Sequence, residues 1–285
     1  MPLALLISSH VAASAVGGGV SSFVLNSAGI ATMLVPTVLY GRHPGWGAPG
    51  GGAVGSDMFQ SVIDGIAVQH GLDQTDLVLT GYFADPAQVM IAAAAIDQAR
   101  KRLRAVGPGR TDLPAPWVVI DPVCGDAPGG LYVAPQIATA IRDQLLPRAD
   151  LLTPNAFELG HLTGRALTDL ASMVRAARSL PCPALVTSLP RHGRIGVIYV
   201  DGEEAWMVTH ERCENAPKGT GDVLTAAFAA ARLNGANARS ALEMSVAATL
   251  SLVMRANEAG CAELPLAAAA GLLHQPLVSL AAEAL

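Results

Sequence analysis

The stretch Lys218-Gly219-Thr220-Gly221-Asp222 stands directly before a run of small apolar residues, Val223 to Leu233, that predicts a helix. Glycines at a helix start leave backbone N–H groups directed at an anion, and the helix dipole adds partial positive charge there. A carboxylate in that turn can take a proton from an attacking hydroxyl while the amides stabilise a transferring phosphoryl group. A plain turn followed by an Asp222 N-cap fits equally well, so this motif alone leaves both interpretations open.

Short apolar runs alternate with helical patterns along the rest of the chain. The predicted strands are 3–7, 31–39, 77–80, 117–120, 151–152, 184–187, 195–200 and 205–209. The predicted helices are 20–28, 57–70, 86–103, 134–145, 221–233, 239–257 and 264–273, with further helical segments up to residue 180. This alternation indicates βαβ units and a mostly parallel central sheet with helices on both faces. The Gly- and Pro-rich stretch 42–55 is predicted to be irregular, and no linker divides the chain, so we expect one α/β domain.

Composition excludes several classes of protein. With 14% charged residues and a net charge of −5, the chain lacks the basic stripe of a nucleic-acid binder. Its four cysteines show no C-x-x-C or Cys/His spacing, which argues against a zinc site. Residues 1–41 contain no Asp, Glu, Lys or Arg, but polar residues interrupt the apolar run and no basic segment precedes it. We therefore expect a cytoplasmic protein with small-molecule partners, no nucleic acid and no membrane.

Polar residues follow the predicted strands, where ligands of open α/β sheets bind. Asp121 and Asp126 come directly after strand 117–120, and two carboxylates near a polyphosphate suit Mg²⁺ held mainly through water. Asn155 and Glu158 follow the next strand and, three residues apart, share a helix face pointing into the same crevice. Turn-capping aspartates and an Asn155–Glu158 capping box are the alternative interpretations, and capping is compatible with metal binding.

Other features carry less weight. Gly45-Trp46-Gly47-Ala48-Pro49-Gly50 matches G-x-G-x-x-G but opens no helix after a strand, so we do not expect a dinucleotide site. Neither a P-loop nor a G-x-S-x-G elbow is present. His10 and His43 fall in predicted crevice loops. The remaining histidines are expected to have no role: His70, His161, His192, His210 and His274.

Taken together, the motifs resemble the ribokinase-like superfamily and, within it, the pyridoxal kinase family. The similar blocks, in the family's order, are Ser8-Ser9-His10-Val11 with Val16-Gly17, the flap segment Thr37 to His43, Thr80-Gly81-Tyr82, Asp121 to Asp126, Thr153 to Glu158 and Gly219 to Asp222. The resemblance implies a ribokinase-like three-layer α/β/α fold, a single kinase domain over 1–285, a flap loop at about 40–55 and an ATP lid at about 211–218. It also implies ATP-dependent phosphorylation of the 5′-hydroxymethyl group of pyridoxal, in vitamin B6 salvage.

The same resemblance implies roles for individual residues. Asp222 is the base, and Gly219, Thr220 and Gly221 form the anion hole. The substrate-binding residues are Ser9, Val16, His43 and Tyr82, and the ATP-binding residues are Asp121, Asp126, Thr153, Asn155, Glu158, Thr187, Ser188 and Lys218. Mg²⁺ is implied at Asp126 and Glu158, and a monovalent cation, typically K⁺, near Asp121, Thr153 and Thr187. Family members are usually homodimers with one active site per subunit.

The flap departs from the family pattern. Arg42-His43-Pro44-Gly45-Trp46 stands where N-H-T-G-Y is common, and losing the Asn and Thr hydrogen-bonding groups is expected to weaken pyridoxal binding or shift vitamer preference. A related hydroxymethylpyrimidine or sugar kinase and a non-catalytic pyridoxal phosphate-binding protein are therefore kept as alternatives, although Trp46 and Tyr82 favour a flat ring over a sugar. Lys218 is expected to neutralise phosphate charge; a Schiff base with an aldehyde, and a reactive Cys213, stay open.

Overall fold

The computed structural model describes residues 1–101, 115–191 and 193–285, with residues 190 and 191 described by their backbone only. The strands are β1 (Leu3–Val11), β2 (Ala31–Tyr40), β3 (Gly51–Ala53), β4 (Leu77–Thr80), β5 (Trp117–Ile120), β6 (Gly125–Asp126), β7 (Gly130–Leu131), β8 (Leu151–Leu152), β9 (Ala184–Arg191), β10 (Arg194–Asp201), β11 (Glu204–Glu211) and β12 (Glu283–Ala284). The helices are α1 (Gly17–Ser27), α2 (Ser56–Val68), α3 (Gly71–Gln74), α4 (Pro86–Lys101), α5 (Pro135–Ala140), α6 (Ala156–Thr163), α7 (Leu170–Arg178), α8 (Thr220–Leu233) and α9 (Ala238–Glu258).

Ten of these strands form one sheet in the order β12-β11-β10-β9-β8-β5-β4-β1-β2-β3, and β6 and β7 form a separate hairpin. The pairs from β2 through β1, β4, β5 and β8 to β9 are parallel. Both edges are antiparallel, through β9 to β12 on one side and β2 with β3 on the other. The predicted mostly parallel sheet is confirmed, and so is the β10–β11 pairing across the turn at Asp201.

Two apolar faces place this sheet in the middle of three layers. Side chains alternate along β1, so Leu6 belongs to the core under α1, α8 and α9, whereas Leu5 and Ile7 belong to the core under α2, α4 and α5. Helices α6 and α7 cover the same second face beside β9 and β10, where Leu159 packs with Ile198. Since both faces of the central strands are covered, their sequences read as continuous apolar runs. The α/β/α arrangement predicted from the sequence is confirmed.

Several predicted boundaries were wrong. Strand β1 does not end at Ser8 but continues to Val11 past a register irregularity between Ser8 and His10, so His10 lies on a strand. Helix α1 begins at Gly17 rather than residue 20, because the glycines there pack closely on Ser9 and Leu34 instead of forming a loop. The predicted helix 134–145 is α-helical only over Pro135–Ala140 and continues as a π-turn. Of the predicted helix 86–103, residues 102 and 103 lie outside the described residues, as does His192.

Two predictions about longer segments were also wrong. The stretch 42–55 is partly regular, because Pro44–Trp46 forms a 3₁₀ turn and β3 pairs with the end of β2. The expected helix 264–273 is a series of turns ending in the 3₁₀ turn Ala270–Leu273. There, packing of Leu272 and Leu273 on the α1–α8–α9 core overrides the helical preference of alanine. In the part of the chain that the structure describes, no helix has both the length and the apolar character needed to cross a membrane.

Candidate active site

The first turn of α8 brings a carboxylate, a row of backbone amides and the β1–α1 turn (residues 12–16) together. Gly219 is the N-cap of α8 and has φ +88°, a conformation that favours glycine. A Cβ atom at this position would also collide with the carbonyl oxygen of Ala15. Asp222, three residues further, accepts a hydrogen bond on Oδ2 from the backbone N–H of Gly17 at 2.8 Å. The alternative in which Asp222 is the N-cap is thus wrong, because Gly219 holds that position.

The surroundings of Asp222 bring its pKa close to neutral. Burial raises its pKa from 3.8 to about 6, against the opposing effect of the hydrogen bonds from Gly17 and from its own backbone. A carboxylate with this pKa is largely ionised at pH 7 but takes a proton more readily than an exposed aspartate. Because its orientation is fixed by the Gly17 amide, it can receive a proton from a hydroxyl held next to α8.

Two further carboxylates lie close to Asp222. The pKa of Asp121 is raised well above its usual value by burial and by the charges of Glu158 and Asp222, while a hydrogen bond with Thr153 opposes the rise. Glu158, only 3% exposed, accepts backbone N–H groups from Cys124 on one oxygen and from Asn155 on the other, both at 2.9 Å. Its pKa is raised to about 7, chiefly by burial. No arginine or lysine among the described residues forms an ion pair with these three carboxylates, which we call the carboxylate cluster.

The predicted capping box is present and also builds the site. The side chain of Asn155 accepts the N–H of Glu158 at 2.9 Å and donates its amide to the carbonyl of Gly125 at 2.8 Å. This ties α6 to the hairpin that carries Asp126. Thr153 forms a hydrogen bond with the side chain of Asp121. Its hydroxyl also accepts a hydrogen bond from the hydroxyl of Thr225 at 3.1 Å. The residues predicted to hold cations are therefore neighbours.

A cavity of about 420 Å³ opens beside these groups. Part of its lining comes from strand ends and helix starts, namely Asp126, Asn155, Thr187, Ser188, Thr220 and Gly221. Its apolar lining comes chiefly from β10 and α9 and includes Ile195, Val197, Val246, Leu250 and Val253. Ser188 has φ +60°, a strained conformation for a non-glycine residue that is often seen at functional sites. A cavity lined by apolar residues on one part and polar residues on another suits a nucleotide, because its base is flat and its phosphates are charged.

The structure separates the predicted ATP-binding residues into two groups. Asp126, Asn155, Thr187 and Ser188 line the cavity, whereas Asp121, Thr153 and Glu158 lie behind it in the carboxylate cluster. Lys218 is not part of the lining; instead, its charge acts on His43 in the flap. His210, which the sequence predicts to have no role, lines the cavity together with Arg212 and Cys213.

Two of the predicted substrate residues lie next to Gly17, whose N–H holds the carboxylate of Asp222. Ser9 is only 8% exposed, and its hydroxyl packs so closely on Gly17 that no side chain fits there. Val16 directly precedes Gly17 and is also buried. These two residues therefore flank Gly17, the residue that donates its N–H to Asp222.

The other two predicted substrate residues belong to the flap and its base. Tyr82 forms a hydrogen bond with Tyr40, and its pKa is raised by burial and then by Tyr40. Nδ1 of His43 accepts the N–H of Gly45 at 2.9 Å and so caps the turn that carries Trp46. Gln88, which is fully buried, donates to the carbonyls of Thr37 and Val54 at 2.8 Å and so anchors both ends of the flap.

Some residues at the site were missed from sequence. The apolar set on α9 follows a helical pattern, but periodicity cannot tell a face that lines a cavity from one that packs in the core. Tyr132, about half exposed, also escaped notice; its backbone N–H donates to the carbonyl of Cys124, next to the hairpin that carries Asp126, at 3.0 Å. Tyr40 could have been found, because it directly follows the predicted strand 31–39 at the flap.

Comparison with known proteins assigns the chain to a family. A profile described as phosphomethylpyrimidine kinase matches residues 99–266. A pyridoxal kinase of Leifsonia xyli is 36% identical over 92% of this chain and 92% of its own length. A pyridoxine/pyridoxal/pyridoxamine kinase of Bordetella bronchiseptica is 36% identical with the same two coverages. Pyridoxal kinase from Leishmania donovani, solved with ADP and pyridoxine, matches with a TM-score of 0.89 and 25% identity over 99% of each chain. The chain belongs to the pyridoxal kinase family.

Proposed function

We propose that this protein is an ATP-dependent kinase that phosphorylates the 5′-hydroxymethyl group of pyridoxal and so forms pyridoxal 5′-phosphate. The observation that carries this proposal is the position of Asp222. Its carboxylate is held by Gly17 at the acceptor side, and Thr220 and Gly221 in the same helical turn line the nucleotide-sized cavity. The proposed base and the start of α8 thus lie between this cavity and the residues proposed to hold the acceptor, which is the arrangement that direct phosphoryl transfer needs.

The reaction requires little covalent chemistry from the protein. Asp222 accepts the proton of the hydroxymethyl group while the oxygen forms a bond to the γ-phosphorus and the bond to the β-phosphate oxygen breaks, releasing ADP. The amides of Gly219, Thr220 and Gly221 stabilise the charge on the transferring group, helped by the dipole of α8. Ser9, Val16, His43 and Tyr82 hold the pyridine ring, and Lys218 neutralises charge near the flap.

We further propose that Mg²⁺ is held by Asp126 and Glu158, and K⁺ by Asp121, Thr153 and Thr187. The donor set fits hard cations because it is made of oxygens only. The described residues contain no group of three or more His, Cys, Asp or Glu that could hold a metal by themselves. This suits Mg²⁺, which keeps water and substrate phosphates as ligands and, when bound, neutralises the polyphosphate. Asp121 and Glu158 are buried against like charge, which a bound cation relieves.

Assembly and location stay predictions. We propose a homodimer with one active site per subunit, which light scattering on the purified protein tests directly. Location in the cytoplasm follows from the need for ATP and is tested by fractionation. The single kinase domain over 1–285, with its lid at 211–218, likewise stays a prediction, although Glu211 in fact ends strand β11.

The function is tested with a panel of acceptors at fixed MgATP and KCl. Pyridoxal, pyridoxine, pyridoxamine, hydroxymethylpyrimidine and ribose are each assayed by ADP release, with Asp222→Asn as the inactive control. We expect turnover with pyridoxal and a loss of roughly 10²- to 10⁴-fold in the variant. Preference for hydroxymethylpyrimidine, which the family profile's description favours, would assign the second candidate function. Tight vitamer binding without ADP release would assign a non-catalytic binding role.

A further inference from the structure

Glu263 joins two segments that lie far from it in sequence. It follows α9, and its Oε2 accepts the backbone N–H of Ala15 at 2.9 Å. Its other oxygen, Oε1, accepts the indole N–H of Trp46 at 3.3 Å. One partly buried carboxylate thus holds both the β1–α1 turn and the tip of the flap.

The β1–α1 turn in turn contacts the catalytic groups. The carbonyl of Ala15 packs against the Cα of Gly219, so closely that only glycine fits there. Two residues further, the N–H of Gly17 orients Asp222. The turn also meets the flap directly, because the hydroxyl of Ser14 accepts the N–H of His43 at 3.2 Å. A shift of this turn would move the base, the anion hole and the acceptor pocket together.

Trp46 is not fixed by burial, since 52% of its surface is exposed. Its position depends on the 3₁₀ turn that His43 caps and on the bond to Glu263. The charge of Glu263 also acts within the flap: the pKa of His43 is lowered by burial and by Lys218, and Glu263 opposes that change. Glu263 therefore acts on the tip of the flap, although it lies outside every motif that identifies the family here.

We propose that Glu263 is a positioning residue that couples closure of the flap over the acceptor to alignment of the β1–α1 turn with Asp222 and Gly219. The proposal rests on the proposed kinase function. In this proposal the bond between Trp46 and Glu263 breaks when the flap opens to admit the acceptor and reforms when the flap closes. The same carboxylate also holds Ala15 in the β1–α1 turn. Closure of the flap and alignment of Asp222 therefore both depend on Glu263.

The test compares the kinetics of Glu263→Gln, Trp46→Phe and the double variant with the wild-type enzyme. In Glu263→Gln one amide oxygen can keep the Ala15 bond, but the amide nitrogen faces the indole N–H. We expect the KM for pyridoxal to rise roughly tenfold, as for loss of a hydrogen bond to a charged group, and the KM for MgATP to change less than twofold. Trp46→Phe should raise the KM for pyridoxal severalfold. The KM of the double variant should be no more than about twofold above that of either single variant, because both substitutions remove the same hydrogen bond.

A second readout needs no turnover. Acrylamide quenching of Trp46, isolated by subtracting the signal of Trp46→Phe, should increase in Glu263→Gln and stay unchanged in Glu258→Gln, an exposed control whose side chain pairs with Arg255. If wild-type enzyme does not phosphorylate pyridoxal, the proposed function fails, and quenching alone decides whether Glu263 holds Trp46. Independent, multiplicative effects of the two substitutions, equal rises in both KM values, or unchanged quenching overturn the proposal.

Discussion

Asp222 lies in surroundings that disfavour its ionised form. Its folded-state pKa of about 6 exceeds the usual 3.8, so the neutral form is favoured by folding. The resulting contribution to the free energy of unfolding is fully present below pH 3.8 and is lost as pH rises through 6. At pH 7 the ionised group costs roughly 3 kcal/mol relative to an unshifted carboxyl, at 1.36 kcal/mol per pKa unit.

We therefore expect Asp222→Asn to make the unliganded protein more stable at pH 7 while it abolishes phosphoryl transfer. The asparagine oxygen can still accept the Gly17 amide, so the fold keeps that bond. Urea unfolding at pH 7 should show a gain on the order of 1–3 kcal/mol that shrinks toward pH 4. Equal or lower stability of the variant at pH 7 would mean that the carboxylate is not strained by burial.

The same pKa sets the acid limb of activity. As the proposed base, Asp222 has to be ionised to accept a proton, so kcat/KM should rise with pH and level off above about 6. His43, also proposed to lie on the acceptor side, has a pKa lowered from 6.5 by burial and by Lys218. Substituting it by Gln should leave the midpoint of the limb in place. A midpoint that disappears in the His43 variant would assign the limb to histidine instead.

Individual residues were predictable where chemistry and chain position coincide. Asp121, Asp126, Asn155 and Asp222 follow strands or start a helix, and the structure brings them together. Glu263 could not be found, because nothing around it marks a loop carboxylate as the acceptor of two N–H groups more than 200 residues away. Such contacts depend on the path of the chain in three dimensions and leave no local pattern.

At the scale of elements, the start of α8 illustrates how closely two backbones approach at this site. Gly219 combines φ +88° with the carbonyl of Ala15 directly beside its Cα. Gly235, just after the same helix, has a similar φ of +93° but open space around it. Comparing substitutions at Gly219 and Gly235 therefore separates the cost of backbone strain from the cost of a steric collision.

We expect the left-handed conformation to lower the free energy of unfolding of Gly219→Ala and of Gly235→Ala by about 1–2 kcal/mol each. Only Gly219→Ala should show an additional loss of stability. Collision with Ala15 should displace the anion hole, and a displacement near 1 Å costs on the order of 10²-fold in rate. Steady-state kinetics and thermal melts of both variants provide the measurement. Similar activities of the two variants would show that the close approach has no part in catalysis.

Elements were predictable where burial is continuous. Strands β4 and β5 match their predicted bounds, because both faces are apolar and Gly81 or Asp121 ends the run. The segment 264–273 was not predictable, since its alanines favour a helix locally and only tertiary packing decides otherwise. The strand β3 was hidden for the opposite reason: Gly51 and Gly52 have low strand preference, and only their pairing with β2 defines the strand.

For the molecule as a whole, one sheet of ten strands joins both apolar cores in the described part of the chain. A continuous sheet should unfold as a unit, so calorimetry should show a single transition. MgADP at 100 times its dissociation constant should raise the midpoint by on the order of 5 °C, because it stabilises the folded state by about 2.7 kcal/mol. Two separate transitions, or a shift of only part of one, would contradict the single-domain prediction.

The hydrogen bond between Gly17 and Asp222 spans 205 positions of the chain. During synthesis the amide emerges from the ribosome long before the acid does, so no nascent fragment lacking α8 can hold a formed catalytic pair. Enzyme activity therefore reports completion of the fold, and splitting the gene between the two residues should give halves that work only after reassociation.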